Sequence, residues 1–244
     1  MSMPLTRKLR FLFVYPLAVW LLLVAETTER SFRLGVAFVM LGELVRLWAD
    51  GYVGHVKVNW TQQWRGDAKV GSLVTAGPYA FVRHPLYLGT FLIGVGFCII
   101  GGNPWMSVAA LAFFLTVYRR KMAKEEVLLL DEIGASYLAY QAAVPRWVPT
   151  LRRYPNRQGR WSWQGLAASK EWKTVIWVLV VIIGLYFREE ILQEHEFLPT
   201  SKPSAWLKQV ILLVTALVLM LTDGVAELTL RRRRALKSAS HPAG

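Results

Sequence analysis

One cysteine in 244 residues, Cys98, leaves no partner for a disulfide and no set of thiolates for a zinc site. Glycine-rich loops of the Rossmann and P-loop kinds are missing, and so are internal repeats and low-complexity tracts. Acidic side chains are scarce beside basic ones, 16 against 29, for a formal charge of +13. In a soluble domain such a surplus would point to nucleic acid, but a chain that is 54% apolar is too greasy for that class. A membrane protein with basic cytosolic loops reconciles the two numbers.

What the chain has instead is long apolar runs. A spanning helix needs about 20 apolar residues, and runs suited to spanning lie at 9–25, 32–48, 86–102, 104–118, 172–187 and 205–221. The first is expected to stay in the protein, since no small-residue cleavage site follows it. "GGNP" at 101–104 reads as a tight turn, so the third and fourth runs form a hairpin. Of the 29 basic residues, 22 fall in the terminal segments and the connections 49–85 and 119–171, and only 4 in the opposite set of connections. The positive-inside rule then puts both termini in the cytosol. The expected fold is an all-α, multi-pass helical bundle of about six spans. "EEVLLLDEIGASYLAYQAAV" (125–144) has helical periodicity and should continue the fourth span as a cytosolic amphipathic helix, closed by Pro145 and Pro149. The basic, Trp-rich segment 150–171 reads as a linker lying on anionic headgroups.

Taken singly, the unusual residues have ordinary readings. Arg83 and His84 suit the cytosolic anchor of a helix, and Pro85 its first turn. Lys121 and Glu125 suit an i,i+4 pair on a wet helix. Glu43 and Arg46 could be a local pair, with Arg46 reaching to the interface. His55, His195 and His241 suggest no role.

The order of motifs is more specific. "LVTAGPYAFVRHPLYLG" (73–89), the Gly-Asn-Pro hairpin, "KEEVLLL", "IGASYLAY" and "VPRWVP" follow one another over residues 43–149. This set resembles the isoprenylcysteine carboxyl methyltransferase family and the related integral-membrane phospholipid methyltransferases. Glu126 stands eleven residues before Tyr137, as in that pattern. Two departures are Lys121, where the family has arginine, and Ile133-Gly134-Ala135-Ser136-Tyr137 for the family's FGxEY. Lysine keeps the charge but loses the bidentate fork.

The resemblance implies S-adenosyl-L-methionine as cofactor in a cytosol-facing pocket, and a lipophilic or lipidated methyl acceptor within membrane lipid, with no nucleic acid and no metal. It implies a cofactor strip of Gly71, Ser72, Leu73, Val74 and Tyr79, a facing wall of His84, Pro85, Leu86 and Tyr87, and Glu125 from the far side. Lys121 would face the acceptor, and Glu126 or His84 would act as base if the acceptor were an amine or thiol. The implied organisation is two N-terminal helices (1–42), a methyltransferase core (43–149), the linker (150–171) and a C-terminal helical hairpin with a basic tail (172–244). Amine methylation of a phospholipid, or a non-catalytic membrane protein that keeps the fold, remain open alternatives. A transporter would need charges deep in several spans, and only Glu43 fits.

Overall fold

The computed structural model describes residues 27–54, 60–65, 68–169 and 171–194, with Val214; side chains are described for 27–54, 73–105, 107–169, 171–186 and Val214. The first expected span, the sixth apart from Val214, His55, His195, His241 and the arginine-rich tail lie outside these residues. The chain divides into two compact units, Met1–Glu171 and Trp172–Gly244.

The architecture is helical, as expected, with one addition. Six helices occur among the described residues: α1 (Glu29–Val53), α2 (Pro85–Gly101), α3 (Pro104–Ile133), α4 (Ala135–Ala143), α5 (Trp163–Ser169) and α6 (Glu171–Glu194). The addition is a two-stranded antiparallel hairpin inside the 49–85 connection, β1 (Trp60–Arg65) against β2 (Ala68–Leu73), in a register pairing Trp60 with Leu73 and Arg65 with Ala68.

Each helix boundary has a local cause. Thr28 and Ser31 exchange side-chain to backbone hydrogen bonds of 3.1 and 2.9 Å, a capping box that starts α1. Pro85 and Pro104 begin α2 and α3, and Gly102 between them caps α2 in the left-handed region at φ 67°. The expected hairpin at "GGNP" is therefore present. The fourth run does continue past Tyr118, as one 30-residue helix, but it breaks earlier than the periodicity suggests. Gly134 has φ 65°, so α4 is a separate helix of nine residues, which brings Tyr140 O–H to the Tyr79 carbonyl.

Of the six expected spans, four coincide with helices, but no helix among the described residues is long and apolar enough to cross a membrane. The physical reason differs from helix to helix. α2 is very apolar yet has 17 residues, about 25 Å at 1.5 Å per residue against a hydrocarbon core of about 30 Å. α1 is longer but carries Glu43, Arg46 and Asp50, all turned inward or half-buried.

α1 and α2 run antiparallel and meet backbone to backbone. A Cβ on Gly42 would lie 2.6 Å from the Gly89 carbonyl oxygen, and one on Gly96 would lie 2.6 Å from that of Gly35. The seven-residue spacing of Gly35 and Gly42, and of Gly89 and Gly96, places these glycines on one face of each helix. The same pair is tied by Arg46, which donates from Nε to Glu171 Oε1 at 2.6 Å and from Nη1 to the Leu86 carbonyl at 3.3 Å. Arg46 is thus drawn into the protein, 14% exposed, and does not reach for the interface.

The segment after α4 is also pinned. Arg83 N–H donates to the Pro145 carbonyl at 2.9 Å, Thr150 N–H to Phe81 at 2.9 Å, and Tyr154 N–H to Ala80 at 3.0 Å. Thr75 Oγ1 donates to the Asn156 carbonyl at 2.7 Å and accepts from Gln158 N–H at 2.8 Å. Residues 145–158 therefore form a strap running antiparallel to 75–83. In the second unit, Lys173 Nζ lies 5.3 Å over the Trp172 ring.

Replacing Gly42 by alanine forces a methyl into a backbone contact. The expected loss is about 1–3 kcal/mol, read as a lower thermal midpoint in detergent. A Cβ added at Gly94 would meet nothing within 4 Å, so Gly94→Ala should leave the midpoint unchanged or raise it slightly. Equal midpoints for the two variants would refute the seam.

Candidate active site

Proline at position 85 fixes the start of α2 and leaves His84 just outside it, at φ −124° and ψ 64°, with no side-chain capping bond. The imidazole is therefore available to the neighbouring helix. On α3 the consecutive Glu125 and Glu126 point about 100° apart around the axis, and each finds a different set of partners. Tyr87 O–H donates to Glu125 Oε1, and Lys121 Nζ, one turn earlier, lies 3.9 Å from the same oxygen. His84 lies between the two carboxylates, Nε2 at 3.0 Å from Glu126 Oε1 and Nδ1 at 3.9 Å from Glu125 Oε2.

Glu126 is the hub of the polar cluster. Besides His84, Arg146 grips it with Nε at 2.9 Å and with Nη2, and Arg83 Nη1 lies 3.1 Å away. Burial alone would raise this carboxyl, but the hydrogen bonds from His84 and Arg146 and the charge of Arg83 outweigh it and bring the pKa down to about 2. A carboxylate held there has too little proton affinity to act as a base at neutral pH. Tyr137, from the "IGASY" element, is 1% exposed. Burial and the Glu126 charge push its phenol up to about 12.

Around this polar knot runs a ladder of rings. Tyr87 meets Tyr118 edge-on at 5.1 Å, Tyr118 stacks on Phe114 at 4.1 Å, and Phe114 meets Trp147 at 6.1 Å. Lys121 Nζ sits 4.8 Å from the Tyr87 ring centroid, so that face already attracts a cation.

The residues singled out from sequence fall into three groups. His84, Tyr87, Lys121, Glu125 and Glu126 come together in the polar cluster. Val74, Tyr79 and Leu86 are buried in one apolar cluster with Ala49 and Val53, and Pro85 is buried beside them. The Tyr79 carbonyl accepts from Tyr140 O–H at 2.7 Å, while its own hydroxyl, 2% exposed, has no hydrogen-bond partner among the described residues. Burial and the neighbouring Asp50 carboxylate push that phenol well above its ordinary value. Gly71 and Ser72 belong to β2, facing Gln62 and Thr61, and Leu73 turns away into a second apolar cluster with Leu129, Tyr137 and Tyr140.

Sequence reasoning missed Arg146 and the tie between Arg46 and Glu171. Arg146 stands within "VPRWVP", where its charge counts equally well toward topology; only the fold brings it to Glu126, 20 positions away. Glu171 is separated from Arg46 by 125 positions and no local pattern links them.

Residues 35–131 match the model of the isoprenylcysteine carboxyl methyltransferase family. The protein-S-isoprenylcysteine O-methyltransferase of Homo sapiens is 31% identical over 121 residues, which is 48% of this chain and 41% of that protein. The Schizosaccharomyces pombe protein of that name is 37% identical over 82 residues, 32% of this chain and 34% of the relative. Protein-S-isoprenylcysteine O-methyltransferase A of Arabidopsis thaliana is 31% identical over 123 residues, 47% of this chain and 57% of the relative. The chain thus spans about two fifths of the human relative's length. No solved structure matches it.

The depressed Glu126 carboxyl makes acid stability specific. Its stabilisation is fully present above the ordinary value of 4.5 and is lost as pH falls through about 2. That interval corresponds to about 3 kcal/mol. Thermal unfolding of the wild type should fall across this window. Glu126→Gln, which leaves two guanidinium groups uncompensated, should be less stable at neutral pH by about 3–5 kcal/mol and much flatter in acid.

Proposed function

We propose, from the match of residues 35–131 to the isoprenylcysteine carboxyl methyltransferase family model, that this protein is a membrane-embedded methyltransferase using S-adenosyl-L-methionine. Its reaction on this reading is carboxyl O-methylation of a lipophilic acceptor, of the isoprenylcysteine type that the relatives' names state. The observation that carries the reading is the convergence of His84, Tyr87, Lys121, Glu125 and Glu126 into one cluster from motifs about 40 residues apart.

The residues present suit the cofactor. When bound, S-adenosyl-L-methionine supplies a methyl carbon on a positively charged sulfur. Glu125 offers a carboxylate to its ammonium or ribose hydroxyls, and the Tyr87 ring offers a face to a cation. The buried hydroxyl of Tyr79, without a hydrogen-bond partner among the described residues, is a polar group in want of a partner on the proposed cofactor strip. The start of α2 at Pro85 adds a helix N-terminus suited to a carboxylate. Gly71, Ser72, Leu73 and Val74 remain the proposed strip along the cofactor, with Leu86 behind it.

Chemistry at Glu126 favours an acid as acceptor over an amine. An ionised carboxylate needs no base, and Glu126 is too weak a base to deprotonate an ammonium. Both ring nitrogens of His84 face carboxylates. The protein's part is then to position the two reactants and to exclude water.

The membrane reading is supported by large apolar side chains left exposed on two helices. Leu41, Leu44 and Trp48 on α1 are 50%, 59% and 45% exposed, and Trp105, Val108 and Phe113 on α3 are 82%, 63% and 52% exposed. Both termini on the cytosolic side, with the core at 43–149, is the proposed topology, resting on the 22 to 4 division of basic residues.

Methyl-labelled cofactor incubated with the full chain and a lipid extract should leave base-labile label in an acidic lipid. Glu125→Gln should weaken cofactor binding by about tenfold in calorimetry, roughly one charge-assisted hydrogen bond. Absence of saturable cofactor binding by the wild type would sink the proposal.

A further inference from the structure

Lys121 occupies the position expected to face the acceptor, but its ammonium lies 3.9 Å from Glu125 and 4.8 Å from the Tyr87 centroid, among the residues assigned to the cofactor. The cation for an acidic acceptor is better sought on the adjoining stripe of α3. Residues 114, 118, 121 and 125 form one helical row, and 115, 119, 122 and 126 form the row beside it. Where this second row meets the strap after Pro145, a cavity of about 380 Å³ is lined by Leu115, Arg119, Arg146 and Trp147. Its size is within the range of small-molecule sites.

The lining combines two cations with two apolar walls. Arg146 commits Nε and Nη2 to Glu126, so a buried carboxylate fixes the guanidinium while its side chain, 32% exposed, borders the cavity. Arg119 is exposed and makes no ion pair among the described residues. Glu126 faces Arg146 but also answers Arg83 and His84, and Arg119 has no carboxylate of its own among the described residues, which leaves a positive excess at the rim suited to a single anionic head. Leu115 and Trp147 supply the apolar surface. From Trp147 the ring ladder through Phe114, Tyr118 and Tyr87 runs without a break to Glu125.

We propose that this cavity is the recognition site for the acidic head of the acceptor, its carboxylate held between Arg119 and Arg146 and the first carbons of its tail laid on Trp147 and Leu115. The assignment rests on the methyltransferase reading of the neighbouring cluster. It makes Arg119 and Trp147 specificity-determining residues that act on acceptor capture and leave cofactor binding alone. An anionic phospholipid head offers related chemistry, and the test separates the two.

The probes are a benzophenone-bearing S-prenylcysteine acid and its carboxamide, applied to the full chain in detergent with S-adenosyl-L-methionine present. The acid should label peptides containing Arg119 or Trp147, and the carboxamide should do so about tenfold less, the scale of a lost charge-assisted pair. Arg119→Gln should reduce acid labelling about tenfold, Arg119→Lys should restore most of it, and both should keep the wild-type cofactor affinity. Trp147→Ala should weaken long-tailed acids more than short-tailed ones. Equal labelling by acid and carboxamide overturns the proposal. So does labelling unchanged in both Arg119→Gln and Trp147→Ala, or labelling displaced by anionic phospholipid and not by unlabelled acid. Acid labelling at the cavity without methyl transfer supports the site and removes the methyltransferase reading. Methyl transfer with unchanged acceptor KM in both variants removes the site and keeps that reading.

Discussion

A single buried carboxylate, Glu126, holds three separate stretches of chain in register. Its partners come from the residues before α2 and from the strap after α4, and its own backbone belongs to the C-terminal third of α3. A negative charge removed from water is costly unless several donors surround it. Here an imidazole and two guanidinium groups do so, and the stability of the ion depends on all three segments being in place at once. Glu125 can then point to Tyr87 because its neighbour is fully committed elsewhere. The adjacency of the two glutamates sends one carboxylate to the guanidinium groups of Arg83 and Arg146 and the other to Tyr87 and Lys121.

The backbone around this ion is organised to hold it. Proline at 85 starts α2 where His84 can leave the helix, and glycine at 134 turns α4 back so that Tyr140 reaches the Tyr79 carbonyl. The strap then runs beside 75–83 and delivers Arg146. Each step is local chemistry with a distant effect, which is why the site is assembled from residues that are far apart in the chain.

The helices and their connections were largely legible in the sequence. Apolar periodicity and the proline and glycine signals located α1, α2, the α2–α3 turn and the long α3, because these follow from local backbone physics. Membership of His84, Tyr87, Lys121, Glu125 and Glu126 in one cluster was legible too, through motif order. The hairpin of β1 and β2 was not, since "WTQQW" carries no strong alternation. Nor were Arg146 and Glu171, whose partners depend on tertiary packing that no spacing rule encodes. The glycines of the α1–α2 seam look like ordinary membrane-helix glycines until the two backbones are seen in contact. Four of the apolar runs became helices, none of them among the described residues long and apolar enough to cross a membrane.

That seam makes the two sides of α2 unlike. Where two helices touch through carbonyl oxygens and glycine backbone, any side chain added at the seam meets backbone atoms, and no rotamer change relieves the clash. α2 and α3, by contrast, face each other through Phe91, Phe114, Tyr87 and Tyr118, whose rings can turn about their χ angles. The two sides of α2 are therefore unlike in kind, a backbone seam that only glycine permits on one and a stack of side-chain rings on the other.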